Sequence, residues 1–197
     1  MRGSRIGEAG TVTVATGVTA EEALRAFGAD PGDPRPFPDD RLPAGGERER
    51  ITVLATPEAV LVVEDNHYRG ARAEVLTALS AGGRAASMFW NVRALTRLSF
   101  AERGRMVAGA EPTGRTEWPA ELSEVLAGLD FGTFDKVSKG LLAVERFTGR
   151  GITPADLAAI EEAGVAYPAP DPPSPPTRPA GPMPPGWRLL GVLRPPR

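Results

Sequence analysis

The sequence predicts an α+β fold, with an antiparallel sheet of about six strands and two interspersed helices, then about three C-terminal helices and a proline-rich tail. Three observations support this class. Short apolar runs rich in valine, isoleucine and threonine recur up to about residue 110, as expected for strands. Apolar residues at helical spacing follow, up to about residue 163. Ten of the eighteen residues from Pro168 to Pro185 are proline, which suits neither a helix interior nor a central strand.

The first strand and the first helix are marked by local signals. TVTVAT (11–16) alternates as a strand does, and TAEEALRAFG reads as a helix that begins after Thr19. Thr19 and Glu22 have the spacing of a capping box, in which each side chain bonds the other residue's backbone amide. Gly28 is the residue type that ends helices in the left-handed conformation. Residues 28–50, rich in proline, glycine and charge, are predicted to form a long flexible loop.

Five further strands and one helix are predicted between residues 51 and 111. The strands are 51–55, 59–65, 84–92, 94–101 and 105–111. The first two form an antiparallel hairpin, and the last two turn with Gly104 in the tight position. Alternation places Ala86, Met88, Trp90 and Val92 on one side of strand 84–92, and helical spacing places Val75, Leu76 and Leu79 on one face of the intervening helix.

Three helices are predicted after the sheet. The first begins near Pro119, the second carries Lys136 and Arg146 on its outer side, and the third begins with Thr153 as its cap and ends at Gly164. The apolar stripes are Leu122, Val125, Leu126 and Leu129 in the first helix, and Phe134, Val137, Leu141 and Val144 in the second. Residues 1–163 are therefore predicted to form a single α+β domain.

The rest of the chain divides into a linker and a short apolar segment. Residues 164–186 are predicted to be a proline-rich linker, reaching roughly 3.1 Å per residue where it is extended. Residues 187–197 include Trp187, Leu189 and Leu190, which make the segment too apolar for a solvated tail. This segment either docks back on its own domain as a strand or short turn, or engages a protein partner by adding a strand or filling a groove.

Composition excludes several kinds of chemistry. The chain has no cysteine and one histidine, His67, which excludes disulfides, thiolate metal sites and cysteine nucleophiles. The net charge is −2 and no basic cluster is interleaved with aromatics, so we expect no nucleic-acid partner. No apolar run approaches the roughly 18 residues of a membrane helix, and the first residues lack a secretory signal pattern. We expect a cytoplasmic protein without a cofactor or a metal.

The stretch VVEDNHYRGARAE (62–74) places polar residues where an apolar strand gives way to a helix. Glu64 and Asp65 leave the strand on opposite faces, so they are poorly placed to bind one ion. The simplest interpretation is structural, with Asp65 or Asn66 forming a turn by bonding nearby backbone. A binding role for Glu64, Asn66 and Tyr68 is the alternative hypothesis.

Trp90 and Asn91 form the second candidate site. A strand-end aromatic beside an amide can make a ligand platform, although most such tryptophans belong to the core. A small-ligand pocket would combine Trp90 and Asn91 with Glu64 and Asn66. No residue is assigned a catalytic role, because any triad would have to be centred on His67.

Four segments together resemble a known family. They are GVTAEEALRAFGAD, VVEDNHYRGARAEVLTALSAGGRAASMFWNV, LTRLSFAERGRMVAGAEP and AVERFTGRGITPADL, and they cover most of residues 10–160. They resemble a family of uncharacterised small domains from actinobacteria. That family's middle segment has the pattern Glu-x-Asn-Gly-aromatic-x-Gly. The matching residues of this chain are Glu64, Asn66, Tyr68 and Gly70. His67 occupies the position where the family commonly has the first glycine. The resemblance implies that His67 is dispensable, and it supplies no reaction.

Two functions from different classes follow as hypotheses. The first is a non-catalytic cytoplasmic module that binds a protein partner, as an adaptor, regulator or immunity-type protein, with Trp187, Leu189 and Leu190 as candidate contacts. The second is a small-ligand sensor or an enzyme with a strand-end pocket around Glu64 and Trp90. A chain that only displays its tail as a peptide ligand ranks below both.

Overall fold

The computed structural model describes residues 9–36, 50–65 and 67–169. Within these ranges the chain forms one antiparallel sheet of eight strands, in the order β2-β8-β3-β4-β1-β5-β6-β7. The strands are β1 (Gly10–Ala15), β2 (Arg35–Pro36), β3 (Arg50–Ala55), β4 (Val60–Asp65), β5 (Arg84–Trp90), β6 (Thr96–Glu102), β7 (Arg105–Ala110) and β8 (Val165–Pro168). The predicted α+β class with an antiparallel sheet is confirmed.

Five α-helices accompany the sheet in the described ranges. They are α1 (Ala20–Ala26), α2 (Ala73–Leu79), α3 (Ser123–Leu126), α4 (Lys136–Thr148) and α5 (Pro154–Ala163), with 3-10 turns at Arg69–Ala71 and Ala120–Leu122. Helices α1 and α2 lie between strands, and α3, α4 and α5 follow β7. Strand β8 follows α5, so the sheet is completed only after the last helix.

The sheet has two strands more than the six predicted, and both lie in stretches predicted to be irregular. Strand β2 falls within the predicted loop 28–50, and it pairs only Arg35 and Pro36 with β8. Strand β8 falls within the predicted linker 164–186, where it pairs with β3. Both strands depend on a distant partner, which local propensity cannot predict. Residues 37–49 and 170–186 of these two stretches lie outside the described residues.

The two faces of the sheet carry different helices. On one face, here the α4 face, Val12, Val14 and Met88 pack with Ala143 and Val144 of α4. On the other, here the α2 face, the side chains of Ala15, Val60 and Val62 pack with α1 and α2. Because side chains alternate along a strand, each residue's register position determines its face.

Two predicted side-chain placements are wrong. Val92 is 71% exposed and lies beyond the end of β5, because the chain turns immediately after Trp90. Phe134 is 94% exposed and precedes α4. The buried residues of α4 are Gly140, Ala143, Val144 and Phe147, and a side chain at Gly140 would overlap Met88 of β5.

The capping predictions are confirmed. Thr19 accepts a hydrogen bond from the Glu22 amide at 3.2 Å, and Glu22 accepts one from the Thr19 amide at 2.8 Å. Gly28 has a φ of 77°. Helix α5 has a second capping box, between Thr153 and Asp156. Such boxes satisfy amides that the first helical turn leaves unpaired.

Candidate functional site

Glu64 is a buried carboxylate on the α2 face, one residue before the end of β4. It lies opposite Thr11 of β1 and Ile51 of β3, and it is 1% exposed. Its neighbour Asp65 points the other way and is exposed, as the alternation of the strand requires. Burying an ionised carboxylate is costly unless hydrogen bonds replace its water.

The Glu64 carboxylate receives those hydrogen bonds from the 3-10 turn Arg69–Ala71. The Arg69 amide donates to Oε1 at 2.8 Å, and the Gly70 amide donates to Oε2 at 2.7 Å. Tyr68, which precedes the turn, makes no side-chain cap of its own. Glu64 therefore satisfies backbone donors that the start of this turn would otherwise leave unpaired.

Gly70 allows the turn to lie directly on the sheet. A Cβ atom at this position would overlap Thr13 Oγ1, lie 2.9 Å from Glu64 Oε2 and lie 3.2 Å from Phe27 Cζ. Real Cβ atoms do not approach other atoms this closely, so any other residue would push the turn away from the sheet. The residue type follows from this close approach of backbone to sheet.

Buried hydroxyl groups lie beneath the turn. Thr11 donates to the His67 carbonyl, and Thr13 donates to Ser87 Oγ at 3.2 Å. Ser99 donates to the Ala71 carbonyl at 3.5 Å. The α2 face is thus polar under the turn and apolar under α1 and α2, so it favours this one position for the turn.

The buried Arg69 side chain ties the same turn to two distant segments. It is 4% exposed, and its guanidinium donates to the Phe27 carbonyl at 3.2 Å and to the Ala169 carbonyl at 2.8 Å. Phe27 follows α1, and Ala169 follows β8. The position of the turn is therefore linked to both.

Tyr68 projects outward from this fixed turn and is 52% exposed. Its ring meets the ring of Phe89 edge to face, with centroids 5.9 Å apart. The Arg72 guanidinium lies over the Tyr68 ring, 5.0 Å from the centroid. These contacts restrict the ring while leaving half of it open to solvent.

The turn between β5 and β6, which begins two residues after Phe89, carries exposed aliphatic side chains. Asn91 Oδ1 accepts the amides of Arg93 and Leu95 at 2.9 and 3.1 Å, and the Asn91 amide donates to the Leu95 carbonyl. Val92 is 71% and Leu95 is 53% exposed. Asn91 is two residues from Phe89 on the same face, a separation of roughly 7 Å. We call Tyr68, Arg72, Phe89, Val92 and Leu95 the Tyr68 surface.

The structure brings together only some of the residues considered as a ligand site. Tyr68 is an exposed member of the Tyr68 surface. Glu64 and Asn91 support that surface by holding the backbone of the turns beneath it. Trp90 lies on the opposite face, in the core with Met88, and is 6% exposed. Asn66, Trp187, Leu189 and Leu190 lie outside the described residues.

Sequence reasoning missed most of the exposed members of this surface. Phe89 alternates with buried residues and gives no separate signal. Leu95 is exposed because Asn91 starts a turn, and an asparagine after an apolar strand is a signal that could have revealed this. In the sequence, Arg69 and Arg72 look like ordinary surface arginines. Only the fold shows that they contact the turn and the ring of this site.

Two further findings limit the chemistry of the described ranges. No three carboxylate or imidazole side chains there lie close enough to share a metal ion. None of the helices described is long and apolar enough to cross a bilayer.

The part of the chain that the structure describes is thus an α+β domain with one eight-stranded antiparallel sheet and a buried glutamate that supports an exposed tyrosine. A family model described as "Family of unknown function (DUF6461)" matches residues 2–161. The chain belongs to this family. Neither the curated proteins nor the solved structures gave a match.

Proposed function

We propose that this chain is a non-catalytic cytoplasmic module that binds a protein partner through the Tyr68 surface. The observation that carries the proposal is the support of an exposed tyrosine by a buried carboxylate. Glu64 is 1% exposed while Tyr68, four residues later, is 52% exposed. The fold thus buries a charged side chain, and this side chain fixes the turn beside a solvent-exposed aromatic ring.

The chemistry of the surface suits a protein partner. Tyrosine, arginine and other aromatic residues are enriched among the residues that dominate binding energy at interfaces. A restricted tyrosine also loses little conformational freedom on binding, because it has few rotatable bonds. Val92 and Leu95 add apolar area, and the neighbouring Arg93 is exposed at the edge. An apolar centre beside a charged rim is the usual arrangement of a protein interface.

A strand-end pocket is less well supported. That hypothesis required Glu64 and Trp90 to contact one ligand, but the two side chains lie on opposite faces of the sheet. Both oxygens of the Glu64 carboxylate also accept backbone amides. The geometry therefore favours a supporting role for Glu64 over contact with a ligand.

Comparative co-purification from the native host tests the proposal. The full chain, Tyr68→Ala and Phe134→Ala are each recovered, and their bound proteins are quantified by mass spectrometry. Phe134 is a matched control, because it is an aromatic residue 94% exposed elsewhere on the domain. We expect at least one protein to fall about tenfold with Tyr68→Ala, the loss typical of a residue that dominates an interface, and to stay unchanged with Phe134→Ala. Equal recovery with both variants would refute the proposal.

A further inference from the structure

A cleft lies between the open end of the β5–β6 hairpin, strand β7 and the helices α3 and α4. It has a volume of about 280 Å³, slightly below the roughly 300–1,000 Å³ of pockets that hold drug-sized ligands, so it suits a smaller molecule. Its lining consists of three arginines, three glutamates, two valines and one phenylalanine. The cleft thus combines apolar surface with equal numbers of positive and negative side chains.

Two of the arginines and two of the glutamates neutralise each other. Arg84 donates from Nε to Glu102 at 2.7 Å and from Nη1 to the Phe147 carbonyl at 3.2 Å. The hydrogen bond from Arg84 lowers the pKa of Glu102 below its ordinary value, so this pair stays ionised near neutral pH. Arg105 and Glu121 form a looser pair, with 3.8 Å between Nη2 and Oε1. These four charges therefore leave no net charge for a ligand.

Arg146 and Glu124 are the lining residues that have no oppositely charged partner in the described ranges. Arg146 donates from Nη1 to the carbonyls of Val125 and Ala127, at 3.2 and 2.8 Å. Both acceptors are neutral, and the Nε and Nη2 groups have no acceptor among the residues that the structure describes. Glu124 likewise accepts no side-chain hydrogen bond from that part of the chain. The cleft thus leaves one cation and one anion for a ligand.

These two groups lie near each other without pairing. The carbonyl of Val125, which holds the Arg146 guanidinium, belongs to the residue directly after Glu124, and consecutive Cα atoms are about 3.8 Å apart. A ligand that carries a carboxylate and an ammonium group on the same carbon can therefore bridge Arg146 and Glu124. A ligand with only one of these charges would leave the other side chain without a partner.

We propose that this cleft binds a free α-amino acid with an apolar side chain, such as leucine. The carboxylate of the ligand accepts hydrogen bonds from Nε and Nη2 of Arg146, because the guanidinium fork matches the two carboxylate oxygens. The ammonium group of the ligand pairs with Glu124, and its side chain packs against Val107 and Val125. The site is separate from the Tyr68 surface, so the proposal goes beyond the proposed function.

An NMR titration of the isotope-labelled full chain tests the proposal with four probes. L-leucine carries both charges and an apolar side chain, whereas isocaproate lacks the ammonium group, isoamylamine lacks the carboxylate and glycine lacks the side chain. We expect leucine to shift the amide signals of Val107, Val125 and Phe147, with a millimolar dissociation constant, as suits a ligand of about nine non-hydrogen atoms. Isocaproate and isoamylamine should each bind at least about threefold more weakly, because each loses an exposed ion pair. Glycine should bind at least about tenfold more weakly, because it loses the apolar contact.

Substitutions then identify the residues that hold each charge. Glu124→Gln should weaken leucine binding about threefold and leave isocaproate binding unchanged. The matched control Glu161→Gln, exposed on α5, should change neither. Arg146→Lys should weaken the binding of both leucine and isocaproate, because it keeps the charge but loses the planar fork.

Three results would each overturn the proposal: no saturable shifts with leucine, shifts centred on the Tyr68 surface, or equal affinities for leucine, isocaproate and isoamylamine. Circular dichroism confirms that every variant is folded.

Discussion

Glu64 Oε2 and the Gly70 amide nitrogen are 2.7 Å apart, although the two residues belong to different elements. The same carboxylate holds the Arg69 amide through Oε1. Tyr68 immediately precedes these two residues, so the orientation of its ring depends on the buried carboxylate. The exposed and the buried parts of this site are therefore one structural unit.

Replacing Glu64 by glutamine should destabilise the protein by about 2–3 kcal/mol, because a buried charge-assisted pair of hydrogen bonds is lost. The glutamine would keep one acceptor oxygen but turn its NH₂ group toward a backbone donor. Urea denaturation measures the change. Glu74→Gln, at an exposed position of α2, is the control and should change stability by less than about 0.5 kcal/mol. Similar effects of the two substitutions would show that the buried hydrogen bonds contribute little.

Gly70→Ala should destabilise the protein by about 2 kcal/mol or more, because the new methyl group would overlap Thr13 Oγ1. Thermal or urea denaturation measures the loss. The double variant Gly70→Ala with Thr13→Ala should lose less than the sum of the two single variants, since removing the hydroxyl makes room.

Gly32→Ala is the control for this substitution. Gly32 is exposed, and an added Cβ would lie 3.3 Å from Asp30 Oδ1, a side-chain atom that can move. Strict additivity in the double variant would mean that the methyl group and the Thr13 hydroxyl do not compete for space.

Asp156 should make a stability contribution that disappears in acid. Burial raises the pKa of Asp156, but hydrogen bonds from Thr153 and Arg150 outweigh it and bring the pKa below the ordinary value of 3.8. Because the folded-state pKa lies below the unfolded one, the contribution is complete above the unfolded pKa of about 3.9. It is lost as the pH falls through the lower folded-state value.

Asp156→Asn should therefore cost about 1–2 kcal/mol near pH 7, through the weakened cap and the lost ion pair with Arg150. The difference from the unmodified protein should shrink below about pH 4. Urea denaturation at several pH values measures it, with the exposed Glu162→Gln on the same helix as control. A difference that stays constant down to pH 2 would contradict this account of Asp156.

Tyr68→Ala should leave stability nearly unchanged, within about 1 kcal/mol, since half of the side chain is already in solvent. Its loss removes the edge contact with Phe89 and the contact with Arg72, each of which is modest at an exposed site. Thermal melting measures this. A large fall in the melting temperature would make Tyr68 a structural residue and would weaken the case for an interface.

Local signals predicted where α1 and α5 begin and end. Thr19 with Glu22, and Thr153 before Pro154, form caps within a few residues of sequence, so short patterns suffice. Strand β8 was not predicted, because four residues next to a proline-rich stretch become a strand only when β3 offers a partner edge. Short sequence patterns likewise could not predict how the side chains divide between the two faces of the sheet.

The role of Glu64 could not be predicted for a related reason. The sequence placed it at a strand end and suggested that Asp65 or Asn66 formed the turn. The buried Glu64 accepts the amides of Arg69 and Gly70, and these donors reach it only because Gly70 allows the turn to fold onto the sheet. Exposure of Tyr68 and Leu95 follows from that tertiary arrangement and not from local propensity.

Site-specific photo-crosslinking in the host tests the central claim most directly, because it records which protein touches a chosen position. A benzophenone side chain is introduced in place of Leu95 on the Tyr68 surface, and separately in place of Phe134 as the control. The account predicts a discrete protein adduct from position 95 that is absent from position 134 and is lost when Tyr68→Ala is added. No adduct at position 95, or the same adduct from both positions, would contradict it.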